Sequence, residues 1–295
     1  MTSRALPAIS YTLLGAEGEQ LLAYAEDREY YAASTVKLAV AAALLREADR
    51  GQLALTDTVV CTNSFPSRIP GAPDFSVGPE EQDPGMPAAG SSRTLDWCLD
   101  RMLVVSSNEA TNLLTNVLGL NAVNAAAAWL GAAEVTMTRL ICDYAASSEE
   151  FTHTATSRGL AALMWQLCCG AQLSASSRTH LASLLRTQRF PIIAEGLPEQ
   201  TSWGSKSGWD DGIRHDVAFL GAPGTEDFRV LAICTEGFTP RGAQEAIVQL
   251  TRALHPARRA AAPRGTYADA SGRRGAPTAR TQVGCRSSPA VRPST

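Results

Sequence analysis

Ala33-Ser34-Thr35-Val36-Lys37 marks an abrupt change in the chain, from short strand-like segments to an alanine- and leucine-rich run over residues 36 to 50. That composition predicts a helix, and Gly51 supplies its stop signal. Ser34 and Lys37, three apart, then share one face near the helix N-terminus. Free N–H groups and the positive end of the helix dipole lie there, so the backbone can cradle an oxyanion. The same field lowers the pKa of a nearby ammonium. Ser34 is thus a candidate nucleophile and Lys37 a candidate base.

Composition singles out the same lysine. The chain holds 26 basic residues, and only Lys37 and Lys206 are lysines. A guanidinium keeps its proton at any working pH, whereas a buried amine can lose its own and act as a base. Each lysine has a serine close by, in Ser34-Thr35-Val36-Lys37 and in Lys206-Ser207-Gly208.

Outward from this point the pattern is strands at both ends and helices between. Ile9 to Gly15 and Gln20 to Tyr24 read as strands about the turn Ala16-Glu17-Gly18. Helical patterns run from Thr94 to about Arg189. Strand character returns at Thr201 to Ser207, then at Val217 to Leu220 and Phe228 to Thr235 around Gly221-Ala222-Pro223-Gly224. Ala243 to Leu254 reads as a closing amphipathic helix. Residues 62 to 93 are polar and rich in proline and glycine, a length that marks a functional loop or lid. The expected fold is α/β (α+β). Residues 1–33 and 195–256 form a sheet subdomain, residues 34–194 a mainly helical one inserted into it, and residues 257–295 a disordered Arg/Pro/Ala-rich tail.

Charge and cysteine content narrow the function classes. The net charge is −3, but residues 257 to 295 carry eight Arg and one Asp, which leaves the body at −10. An acidic body argues against a nucleic-acid surface. Seven cysteines with no C-x-x-C read as buried reduced thiols, and the four scattered histidines speak against a metal site. No cofactor is expected. No secretion signal and no membrane-spanning run is visible, so a cytoplasmic protein is expected. Trp97, Trp129 and Trp165 read as core. His215 and Asp216, adjacent on a strand, point to opposite faces and do not form a working pair.

Two further motifs accompany the first. Ser106-Ser107-Asn108 lies between helical segments, and Lys206-Ser207-Gly208 lies on a strand. The order S-x-x-K, S-x-N, K-S-G resembles the active-site-serine, penicillin-recognising superfamily, and the class A β-lactamase lineage most closely. Thr138-Arg139-Leu140, the Asn108–Leu114 run and Arg214-His215-Asp216-Val217-Ala218 resemble its landmarks too, so the likeness spans roughly residues 8 to 255.

The resemblance implies an antiparallel sheet flanked by terminal helices, with a helical subdomain inserted. It also implies roles. Ser34 attacks the acyl carbonyl, and Lys37 takes or relays its proton. Ser106 and Lys206 pass a proton to the leaving nitrogen. Asn108 binds the substrate amide. Lys206, Ser207 and Arg214 hold a substrate carboxylate. The N–H groups of Ser34 and of Trp209, just past Gly208, form the oxyanion hole.

The pattern breaks in two places. Ser107 stands where the family carries Asp. The E-P-x-x-N glutamate that hydrolyses the acyl-enzyme is missing after Leu140, where Ile141-Cys142-Asp143-Tyr144 follows. Glu149 or Glu150 is a candidate substitute, and Asp143 is nearer but shorter. Three functions remain open. One is a β-lactamase, and another is a biosynthetic acyltransferase or esterase on the same fold. The third is a cytosolic regulator that detects a β-lactam or cell-wall peptide and signals to a separate DNA-binding transcriptional activator. Expected location and the missing glutamate favour the regulator.

Overall fold

The computed structural model describes residues 6–147 and 151–255. The arginine-rich tail, Glu149 and Glu150 therefore lie outside the described residues. In chain order the elements are β1 (Ala8–Leu14), β2 (Gln20–Tyr24), β3 (Tyr30–Tyr31), α1 (Lys37–Asp49), β4 (Thr58–Val60), β5 (Ser92–Thr94), α2 (Leu95–Val104), α3 (Asn108–Leu118) and α4 (Leu120–Trp129). There follow β6 (Thr154–Ala155), α5 (Ser157–Cys169), α6 (Ala175–Leu185), β7 (Trp203–Asp210), β8 (Ile213–Leu220), β9 (Arg229–Glu236) and α7 (Pro240–Leu254).

Five strands from the two ends of this span form one antiparallel sheet in the order β2-β1-β9-β8-β7. Its central strands are apolar on both faces, and alternation sorts them. Val217 and Phe219 of β8, with Val230, Ala232 and Cys234 of β9, join the core shared with α1 to α6. Ala218, Leu220, Leu231 and Ile233 point the other way, against Ile247 and Val248 of α7. The layers are therefore helices, sheet and terminal helix.

The same alternation places the site. Lys206 pairs with Val217, and Gly208 with His215, so Lys206 and Gly208 face the helical side at the sheet edge. There β7 meets the entry to α1. That entry is a 3-10 turn over Ala33–Val36, and the α-helix begins only at Lys37. Ser34 thus sits in a tighter turn than the α-helical end expected from composition. Residues three apart eclipse in a 3-10 turn, so Ser34 and Lys37 are still stacked.

Three expectations are corrected or refined here. β8 starts at Ile213, because the polar run Arg214-His215-Asp216 is strand despite its low apolarity. Trp129 is 39 % exposed, with the Arg46 guanidinium 4.9 Å over its ring, and is not core. The six cysteines among the described residues are unpaired, and five are buried. No helix among the described residues is long and apolar enough to cross a membrane.

Candidate active site

Gly208 fixes the closeness of the two halves. A Cβ there would lie 2.7 Å from Ser34 N and 2.9 Å from Thr35 N, so only glycine lets β7 approach the 3-10 turn. Ala33, just before Ser34, has φ 46°, a left-handed conformation that costs a non-glycine residue roughly 1–2 kcal/mol. Such strain persists only where packing over-determines it.

The two lysines are both buried. Lys37 Nζ lies 2.7 Å from Ser106 O, 2.8 Å from Asn108 Oδ1 and 3.1 Å from Ser106 Oγ. Lys206 Nζ lies 2.7 Å from Ser207 O and 3.0 Å from the same Ser106 Oγ. The two amines therefore share one hydroxyl, and it belongs to Ser106. Ser106 has φ 60°, which lets one residue turn both its carbonyl and its hydroxyl onto Lys37. A hydroxyl donates one proton and accepts others, so Ser106 Oγ can take a proton from one amine while giving its own to the other.

Burial, and next the neighbouring Lys206, hold the Lys37 ammonium well below its ordinary pKa. Burial brings Lys206 down to about 7, opposed by the Asp216 carboxylate. Two of the Lys37 partners, Ser106 O and Asn108 Oδ1, only accept hydrogen bonds. A neutral amine has two N–H donors and one lone pair, so it satisfies both and keeps the lone pair for a hydroxyl proton.

The middle motif works without its usual carboxylate. Ser107 caps α3, its Oγ accepting from Ala110 N at 3.2 Å. It also lies 3.3 Å from Glu109 Oε2. The buried Glu109 carboxylate in turn receives Asp83 N at 3.1 and 3.2 Å. Asp83 also accepts the Arg101 guanidinium through two bonds, one of 2.8 Å from Nε. The end of the proline-rich loop is thereby tied to α2 and α3.

Two cavities of about 410 and 570 Å³ meet over Ser34. Ser34, Glu81, Asn108 and Trp209 line both. The first is closed by Ser106, Arg189 and Phe190, and the second by Tyr31, Cys142, Tyr144, Asp210 and Asp211. The Trp209 ring packs edge-on against Phe190 at 5.3 Å.

The structure brings Ser34, Lys37, Ser106, Asn108, Lys206, Gly208 and Trp209 together. Ser207 is buried, with its Oγ accepting from Gln188 Nε2 at 2.9 Å, and lines neither cavity. Arg214 is not brought in. Its guanidinium turns to α7, donating to Gln244 Oε1 at 2.8 Å and Pro240 O at 3.3 Å. Strand alternation aims it there, and the arginines that line the two cavities with Ser34 are Arg101 and Arg189 in the first and Arg139 in the second. Asp143 is committed elsewhere: its carboxylate accepts from Ser67 Oγ, Arg68 N and Ala146 N at 2.7 to 3.3 Å.

His215 and Asp216 do point apart. His215 donates from Nε2 to Tyr31 O at 2.9 Å and accepts at Nδ1 from Thr235 N at 3.1 Å, and burial takes its pKa down to about 4. Asp216 Oδ2 accepts from Ile192 N and Ile193 N at 2.8 Å each. Burial pushes this carboxyl up to about 6 against those donors. Reasoning from sequence missed Glu81, Tyr144 and Arg189. The proline-rich loop that carries Glu81 was conspicuous, but nothing in its composition selected that residue.

Comparison with known proteins agrees with the geometry. The model of the beta-lactamase enzyme family matches residues 7–257. No curated protein sequence gives a significant match. Among solved structures the chain is similar to a β-lactamase from Sphaerobacter thermophilus DSM 20745. That likeness has 29 % identity and a TM-score of 0.70, covering 84 % of this chain and 90 % of the other. A β-lactamase from Xanthomonas campestris pv. campestris is similar at 21 % identity and TM-score 0.71, covering 85 % and 91 %. PBP-A is similar at 22 % identity and TM-score 0.69, covering 86 % and 91 %. With its motifs, its sheet order and this match over most of its length, the chain belongs to the beta-lactamase enzyme family.

Proposed function

We propose that Ser34 is acylated by a β-lactam or a cell-wall-peptide-like ligand, with Lys37 as the base. The observation that carries this is the shared hydroxyl, with Lys37 Nζ and Lys206 Nζ at 3.1 and 3.0 Å from Ser106 Oγ beside Ser34. Neutral Lys37 takes the Ser34 proton as Oγ attacks the carbonyl carbon. The N–H groups of Ser34 and Trp209 hold the oxyanion. The carbon–nitrogen bond breaks, and the leaving nitrogen takes a proton from Ser106, which Lys206 or Lys37 replaces. Lys206 and Arg189 supply positive charge for the ligand carboxylate, and Asn108 holds its amide. A fluorescent penicillin tests this: label is expected on the wild type and absent from Ser34→Ala.

A second reading is favoured by the segment after Leu140. Among its described residues it offers a thiol and a phenol to the cleft, Cys142 and Tyr144, while Asp143 is tied back. A site that acylates and then holds its adduct is a detector. In that form the chain regulates β-lactamase production in the cytoplasm through a separate DNA-binding activator. Deletion of the gene followed by an induction assay tests it; unchanged induction rejects the regulatory role. The two readings part on whether water can attack the Ser34 ester.

A further inference from the structure

Hydrolysis of an acyl-serine ester needs a group that takes a proton from the attacking water. Of the four residues lining both cavities over Ser34, Glu81 alone carries a carboxylate. Glu80 and Asp83 line only the first cavity and Asp210 and Asp211 only the second, and Asp83 is held by Arg101. Asp143 accepts from Ser67, Arg68 and Ala146, and both ring nitrogens of His215 are hydrogen-bonded.

Glu81 is also held in place. Tyr144 donates its hydroxyl proton to Glu81 Oε1 at 2.6 Å. Burial, and next the Glu81 carboxylate, raise the Tyr144 pKa, so the phenol stays a donor. Asn108 Nδ2 donates to Glu81 O at 3.2 Å, while Oδ1 of the same amide receives Lys37. Two residues on, Asp83 is locked to Glu109 and Arg101. A loop residue fixed at its backbone, its neighbour and its carboxylate meets the requirement for a pre-organised catalytic group. The Cys142 thiol is the other group against this carboxylate, its pKa raised to about 12 by burial and next by Glu81, so it too stays protonated.

We infer that Glu81, from the proline-rich loop, is the general base that lets water hydrolyse the Ser34 ester. This rests on the acylation of Ser34 proposed above and makes the site a turnover site. In the step, one water proton passes to Glu81 as the water oxygen bonds to the ester carbonyl carbon. The bond from that carbon to Ser34 Oγ then breaks with its electron pair on Oγ. The Lys37 ammonium formed in acylation protonates Oγ and is left neutral, and the proton on Glu81 passes through solvent to Lys206, which had reprotonated Ser106. One water is consumed, and a free acid and free Ser34 result.

The test compares wild type, Glu81→Gln and Glu81→Asp with benzylpenicillin, by rapid quench and intact-protein mass spectrometry. The amide of E81Q keeps the Tyr144 hydrogen bond but cannot take a proton, and E81D withdraws the carboxylate by one methylene. Both are expected to acylate within a few-fold of wild type. Both adducts are expected to outlive the wild-type adduct, E81Q by on the order of 10²-fold or more. Adduct lifetimes within twofold of wild type in both variants would overturn the assignment while leaving acylation standing. Absence of both adduct and turnover in the wild type would instead remove the acylation reading, and this inference with it.

Discussion

Gly208→Ala probes the contact that assembles the site. The added methyl would sit 2.7 Å from Ser34 N, 2.9 Å from Thr35 N and 3.2 Å from Ala33 Cβ. Two of these neighbours are backbone, and no rotamer change can clear them. For the shortest contact to become ordinary, β7 and the 3-10 turn must separate by about 0.7 Å, which close-packed interiors resist. Neither side moves alone. β7 is paired to β8 from Trp203 to Asp210, and the turn runs directly into buried α1. Overpacking of this kind costs ~1–3 kcal/mol of stability. The catalytic effect is larger. Moving a donor by that distance takes an N–H···O of about 2.9 Å beyond hydrogen-bonding range. Loss of one oxyanion donor lowers the rate by roughly 10²–10³-fold. Single-turnover acylation by a chromogenic cephalosporin, with thermal unfolding alongside, reads both. A folded G208A protein that acylates within threefold of wild type would refute the argument that the N–H groups of Ser34 and Trp209 act at the contact Gly208 permits.

Other outcomes follow from the same geometry. Ser106→Ala removes the hydroxyl between the amines and should slow acylation by ~10²–10⁴-fold with little change in melting temperature, read by the same kinetics. Lys206 has its pKa lowered from 10.5 to about 7 on folding. The unfolded chain therefore binds more protons between those values, and stability rises with pH there by up to about 1.4 kcal/mol per pH unit for this group. Lys206→Met should remove that contribution to the slope in denaturant titrations at several pH values. Asp143→Ala should cost ~1–3 kcal/mol by orphaning Arg68 N and Ser67 Oγ, and hydrogen exchange should speed at residues 67–69 and 144–146.

Much of the site was legible because its chemistry depends on unusual residues close together in sequence. Two lysines among 26 cations pointed to two buried amines, and their motifs placed one on a strand and one at a helix start. Period-two alternation separated His215 from Asp216 correctly. The hydroxyl that the amines share was not legible as Ser106, because its position depends on a left-handed φ that no propensity predicts for serine. Arg214 and Arg189 look alike in sequence, and only strand parity and the path of the segment after α6 decide which one lines a cavity with Ser34. Glu81 is one of several acids in a loop, and what selects it is a set of long-range bonds to Asn108 and Tyr144.

The most direct test of the central claim is the site of covalent attachment. Wild type and Ser34→Ala are mixed with benzylpenicillin, quenched in acid and digested, and the modified residue is located by tandem mass spectrometry. The adduct is expected on Ser34 alone and on no residue of the variant. An adduct elsewhere, or one that persists in Ser34→Ala, would contradict the account.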